Sequence, residues 1–322
     1  MGLLDFILNL VGLLLWFNWR AARFDPLSNS RPATLAGTIR RAEKTAFKRW
    51  HLPLALLGLL LLRAPLYSEF GSALNWTGKI DVGVISVPFR PNVTAPIPIL
   101  SDIPIISYVS MPSYTTMLLY SFYSFGITLT VFLLWVLFLS VLKSKAPEDD
   151  SLRQLLRLHL GRVETWPLIL KLLLPLLAIT PASWLASWPL KAFGILPNSA
   201  TAIQQFEQAL LVGAGSYLAW KFLIAGVLGL YFVSSYVFFG RQPFWQHLEV
   251  IARLLLAPLR RLPLRFGKLD FAPLLGFGLA LLLAHVIEQG IELPWGVDAT
   301  GRPKARWINV PGLVDLYERV SR

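Results

Sequence analysis

The chain has 322 residues, of which 55% are hydrophobic and only 15% charged, against roughly 25% charged in an ordinary soluble domain. Lys and Arg outnumber Asp and Glu by 30 to 18, a net charge of +12, and there is no cysteine. A soluble enzyme of this size needs more polar surface, and a disordered chain has far less Leu, Val and Phe. Without thiols the chain forms no disulfide, Cys-ligated zinc site, iron–sulfur cluster or covalent haem link of its own. It reads as an all-α integral membrane protein, and its basic excess needs an explanation within that class.

A hydrocarbon core of about 30 Å takes about 20 apolar helical residues to cross. Six runs meet or approach that length. Residues 3–19 come first, carrying Asp5 and Asn9; no positive stretch precedes them and no small-residue cleavage site follows, so they read as a span and not a cleaved signal peptide. Residues 50–67 follow, with Arg63 near their end, and then a loop over 68–114 whose residues 79–87 alternate like short strands before a Pro-rich stretch. Residues 115–142, 166–188 and 209–239 are longer spans, and 271–287 is again short.

The runs pair into three units, 1–67, 115–190 and 209–289, each built as span, basic amphipathic stretch, span. The segments 68–114, 191–208 and 290–322 lie outside the units. Each second span opens on an aromatic residue followed by Pro and Leu: Trp50 before Pro53-Leu54, Trp166 before Pro167-Leu168, Phe271 before Pro273-Leu274. Proline is accommodated in a first helical turn, so its recurrence marks the start of a helix.

The basic stretches read as helices lying in the membrane surface. In the first, Ile39, Ala42, Ala46, Phe47 and Trp50 fall at helical spacing, opposed by Arg40, Arg41, Lys44 and Lys48. The second opens on Ser151-x-x-Gln154, a capping-box pattern, and sets Leu152, Leu155 and Leu156 against Arg153 and Arg157. In the third, Phe244, Leu248, Ile251, Leu255 and Leu259 are in register until Pro258 and Pro263 break the helix around Arg260-Arg261, with Arg265 and Lys268 beyond. The plainer alternative is that these helices pack on one another.

Nineteen of the 30 Lys and Arg fall in or beside these three stretches. Cytoplasmic loops carry such an excess, so the stretches are expected inside and both termini outside, with a bacterial inner membrane as the expected location. The partner expected for the cations is anionic lipid, worth about 1 kcal/mol per residue near the surface, and no nucleic acid. A membrane-protein partner or a second copy of the chain is also expected.

No phosphate-binding, nucleophile-elbow or zinc-protease motif is present. The chain is therefore expected to hold no catalytic, cofactor-binding or metal-binding set, and His51, His159, His247 and His285 share no helix face at ligand spacing. Lys171 and Lys221 lie within spans, where an ionisable residue is a functional hypothesis by default; the simpler reading is that each reaches along its stem to a membrane face.

The sequence Pro258-Leu259-Arg260-Arg261-Leu262-Pro263, followed by Gly267-Lys268-Leu269-Asp270-Phe271-Ala272-Pro273, resembles the signature of the YggT family, which includes the YlmG proteins of bacteria and chloroplasts. The family form is Pro-x-Arg-x-x-x-Pro, then Gly-x-x-Asp-x-Ser-Pro at the head of a span; Ala272 stands where Ser is common. The resemblance covers residues 209–288, and the first two units share only its layout. It implies roles linked to cell division, nucleoid or thylakoid organisation, ion and osmotic tolerance, or haem attachment in chloroplasts. The motif also makes physical sense as a cationic ledge pinned by prolines, with Asp270 at a helix N-terminus where the dipole favours a carboxylate. The expected function is a non-catalytic membrane organiser or assembly factor, the alternative a transporter or channel in ion or osmotic homeostasis.

Overall fold

The computed structural model describes residues 2–23, 35–73, 78–82, 85–89, 114–142, 151–193, 195–196, 201–237, 243–259, 265–266, 269–297 and 303–321. The fold is mainly helical, and six of the described helical stretches are long and apolar enough to cross a membrane. Between 11 and 28% of each span's most apolar stretch is buried inside the protein. The remaining Leu, Ile and Phe surface is what lipid tails cover, and it gives helices no drive to associate.

Helix α1 is Gly2–Arg23 and α2 is Leu35–Ala73. The basic stretch of the first unit is thus not a separate surface helix. It continues through Trp50 into the span as one 39-residue helix, about 58 Å long at 1.5 Å per residue. Pro53 and Pro65 both lie inside this helix, so Pro53 does not mark a helix start as its position suggests. The side chains of Arg40, Arg41, Lys44 and Lys48 lie outside the described residues.

Strands β1 (Gly78–Val82) and β2 (Ile85–Phe89) form an antiparallel hairpin, in the loop where alternation suggested strands. Helix α3 (Tyr114–Leu142) crosses next, followed by α4 (Ser151–Leu160), a short 3-10 segment (Gly161–Thr165) and α5 (Leu168–Ala192). Helix α6 (Ala202–Gly215), a 3-10 turn (Ser216–Ala219) and α7 (Trp220–Tyr236) make one 35-residue helical run. It starts seven residues before the apolar run because Thr201 caps it, its hydroxyl accepting from the Gln204 amide at 3.2 Å.

Helix α8 is Pro243–Leu255; the two-residue strands β3 (Arg265–Phe266) and β4 (Leu269–Asp270) then lead into α9 (Ala272–Gln289). The tail folds into a hairpin of β5 (Gly290–Val297) and β6 (Pro303–Pro311), then α10 (Leu313–Ser321). Only the first of these hairpins was expected.

Neighbouring spans run antiparallel, as the contacts at both ends show. Toward the end that holds β1–β2, Tyr67 meets Tyr120, and Tyr123 donates to the Ala186 carbonyl at 2.5 Å. Toward the end that holds α4, Lys171 donates to Ser140 Oγ at 2.9 Å and Tyr217 to the Leu172 carbonyl. One apolar cluster lies under the hairpin: Ala64, Tyr67, Ile80, Val87, Phe89, Met117, Tyr120 and Leu190. A second joins α7, α8 and α9 through Val227, Leu228, Leu248, Ile251, Ala252, Leu256 and Ala272.

The second cluster corrects the reading of α8 as an interfacial helix. Leu248 and Ile251 are buried, and Leu255 and Leu259 pack against the same cluster together with Leu139 and Leu142 of α3. Most of the apolar face that a bilayer surface would have covered is covered by protein instead, while Phe244 at its start stays exposed.

Candidate functional site

Three polar centres hold Asp5, Arg63, Lys171, Lys221 and Glu288 of the spans. The first joins α1, α2 and α3. Arg63 is fully buried, and its guanidinium donates to the Asp5 carboxylate, to Asn9 Oδ1 at 2.9 Å and to the Tyr67 hydroxyl at 3.0 and 3.2 Å. Asp5 also accepts from Tyr67 at 2.7 Å, Tyr120 at 3.2 Å and Ser124 at 3.3 Å. Asn9 in turn donates to Ser124 at 2.9 Å. A buried ion pair is held in low dielectric only when further hydrogen bonds fill the remaining lone pairs and protons, and here three helices supply them. The β1–β2 hairpin packs over the same ring cluster, with Phe89 5.3 Å from the Tyr120 ring.

The second centre is Lys171, which is 4% exposed and donates to Ser140 on α3. Snorkelling to a membrane face does not describe it, because its head turns into the α3–α5 contact. The third is an ion pair between Lys221 at the start of α7 and Glu288 at the end of α9. The Lys221 ammonium also lies 5.2 Å from the Phe222 ring centre. Sequence reasoning sent Lys221 to the outer interface; the structure gives it a carboxylate partner 67 residues later.

At the opposite end from β1–β2, α4 and α8 present arginines. Arg157 is 59% exposed and pairs with Glu164; Arg253 is 55% exposed and pairs with Glu249 one turn away. Exposed pairs of this kind contribute little to stability, and each of these arginines has a carboxylate beside it. Phe244, Val250 and Leu254 are also exposed on α8. The side chain of Arg153 lies outside the described residues.

Helix α4 is anchored from α1. The Arg20 guanidinium donates to the carbonyls of Leu158 and His159 at 2.9 and 3.1 Å, satisfying orphan acceptors at the C-terminus of α4 with a cation the helix dipole favours. The His159 ring packs at 5.2 Å from both Phe17 and Phe132. Burial, and then the Arg20 charge, push its pKa below the ordinary histidine value.

The motif that the sequence singled out is partly visible. Asp270 lies one residue before Phe271, the N-cap of α9, and its carboxylate accepts from the Ala272 amide at 3.0 Å; Pro273 is buried in the first turn. Arg265 sits opposite Asp270 in the β3–β4 pair. Pro258 lies just past the end of α8 and is exposed. Arg260, Arg261, Pro263, Gly267 and Lys268, with the Arg265 side chain, lie outside the described residues.

Residues 214–291 match the model of the CCB3/YggT family. The match falls on the third unit. It spans α7, α8 and α9 with the cluster among them. The Lys221–Glu288 pair falls inside the matched residues and ties the two spans of that segment together. No curated protein and no solved structure matches the chain.

His51 and His285 are exposed, and His159 and His247 lie on separate helices. Among the described residues no group of three or more His, Asp or Glu is placed to hold a metal ion. The Asp5–Arg63 centre was not expected. Its signal was present as two opposite charges, each near the same end of two consecutive antiparallel spans.

Proposed function

We propose that this protein is a non-catalytic membrane organiser or assembly factor of the YggT type, working through a cationic face at the cytoplasmic leaflet. The observation that supports it most is the docking of α4 and α8. Their buried faces fix them to the bundle, while Arg157 and Arg253 remain exposed at the end away from β1–β2. A rigid ledge of this kind suits anionic headgroups or an acidic partner surface. Under the positive-inside rule this end is cytoplasmic and both termini are outside, in a bacterial inner membrane.

The charges within the spans support a scaffold. Arg63 is matched by Asp5, Lys221 by Glu288, and Lys171 is hydrogen-bonded inside the bundle. The test replaces Arg153, Arg157 and Arg253 by Gln and follows the tagged protein's distribution in native membranes. Loss of its normal localisation with unchanged folding is the expected result; wild-type distribution refutes the ledge.

The alternative, a transporter or channel, rests on the Lys221–Glu288 pair within the family segment. Ion flux in proteoliposomes that vanishes in Lys221→Ala would favour it. Absence of flux in wild type removes it.

A further inference from the structure

Helix α1 is attached to the bundle in an uneven way. Leu3, Phe6, Ile7, Leu10 and Leu14 are exposed, and of its described residues only Asn9 and Gly12 are buried. Apolar contact between helices gains little where lipid tails are equally apolar. What holds α1 is polar contact near each end and one close approach between. Near its start, Asp5 and Asn9 join Arg63, Tyr67, Tyr120 and Ser124. Near its end, Arg20 holds two carbonyls of α4, with Phe17 against His159 and Phe132. In the middle, a methyl group added at Gly12 would lie 2.7 Å from the Phe125 ring.

Asp5 and Arg20 are 15 residues apart, about 22 Å along a helix. A helix is stiff over that length, so rotation or sliding that breaks one latch misaligns the other. The two latches also belong to different units. The first closes under the β1–β2 hairpin, and the second fixes the cationic helix α4 of the next unit.

We propose that α1 is a transmembrane coupling rod: the Asp5–Arg63 latch under the outer hairpin and the Arg20–α4 latch on the opposite face favour one another, so opening either loosens the other. The device links the state of the outer face to how firmly the cationic ledge is held. Such coupling is reciprocal by thermodynamic necessity, and reciprocity separates it from a local defect.

The experiment is hydrogen exchange on the full-length protein in lipid nanodiscs, read by peptide over α4 and over the β1–β2 hairpin. In Asp5→Asn, α4 amides are expected to exchange about fivefold faster or more, the lower end of common coupling energies. In Arg20→Gln, the β1–β2 amides are expected to speed up likewise. Glu288→Gln, which breaks an ion pair away from α1, should leave both segments at wild-type rates. The swap Asp5→Arg with Arg63→Asp, which restores opposite charges, should return α4 toward wild type and shows that α1 is still inserted. If Asp5→Asn speeds exchange only near Asp5 while α4 is unchanged, or if Arg20→Gln leaves the hairpin untouched, the rod is overturned.

Discussion

Replacing Asp5 by Ala removes the carboxylate that faces a guanidinium with no exposure to solvent. Four side chains on two helices, Arg63, Tyr67, Tyr120 and Ser124, lose an acceptor at once. Breaking a buried pair by deleting one partner costs about 3–5 kcal/mol. Hydrogen bonds between membrane helices average nearer to about 0.6 kcal/mol, because the chain finds other partners when it unfolds within the membrane. Arg63 decides between these figures: it is held by α1 and by its own helix, so Asn9 and Tyr67 still bind it but no counter-charge remains. The expected loss is therefore about 3 kcal/mol. Removing both charges, as in Asp5→Leu with Arg63→Met, should recover most of it, since apolar replacements of similar volume are often neutral or stabilising. Steric-trapping unfolding in bicelles measures each variant and the coupling between them. A loss below about 0.5 kcal/mol for Asp5→Ala, within the error of additivity, or a double variant as damaged as the sum of the singles, refutes the reasoning.

A methyl group at Gly213 would fall 2.2 Å from Thr180 Oγ1, so Gly213→Ala should cost about 1–3 kcal/mol by overpacking and separate α5 from α6; Thr180→Ala should rescue it in thermal unfolding. Gly290 has a φ of +78° with the Val310 carbonyl 2.2 Å from its missing Cβ, so Gly290→Ala should expose the tail to protease while the spans stay resistant. Because His159 has a lowered pKa when folded, the unfolded chain takes up the proton first. Stability from this group is whole above the ordinary value of about 6.5 and falls as pH drops through it toward the folded value; thermal unfolding of His159→Gln should lack that part of the pH dependence. Since the chain has no cysteine, Arg162→Cys and Ile203→Cys report sidedness, and a membrane-impermeant thiol reagent should label the second from outside intact cells and the first only after lysis.

The spans were legible because composition and run length act locally: a run of about 20 apolar residues matches the thickness of a bilayer and little else. Partners were not. Asp5 and Arg63 are 58 residues apart and Lys221 and Glu288 are 67 apart, and no periodicity encodes which charge meets which. Amphipathic period located α4 and α8 but did not say what covers the apolar face; Leu248 and Ile251 would look the same under lipid or under α7. The start of α6 was missed because Gln204, Gln205, Glu207 and Gln208 end the apolar run while remaining good helix formers. The tail hairpin did leave a trace, the alternation of Ile291, Leu293, Trp295 and Val297, which was hidden among Pro, Gly and charged residues. Asp270 reads as a helix cap; it sits one residue before the cap position, and its carboxylate accepts from the first helical amide.

The face carrying α4 and α8 is expected to engage anionic lipid. This is tested by native mass spectrometry of the lipids retained by the protein from nanodiscs of equal anionic and neutral lipid. Clear enrichment of anionic lipid is expected on the wild type, lost when Arg153, Arg157, Arg253, Arg260 and Arg261 are replaced by Gln. Retention of both lipids in equal measure by the wild type, or enrichment that survives those substitutions, would contradict it.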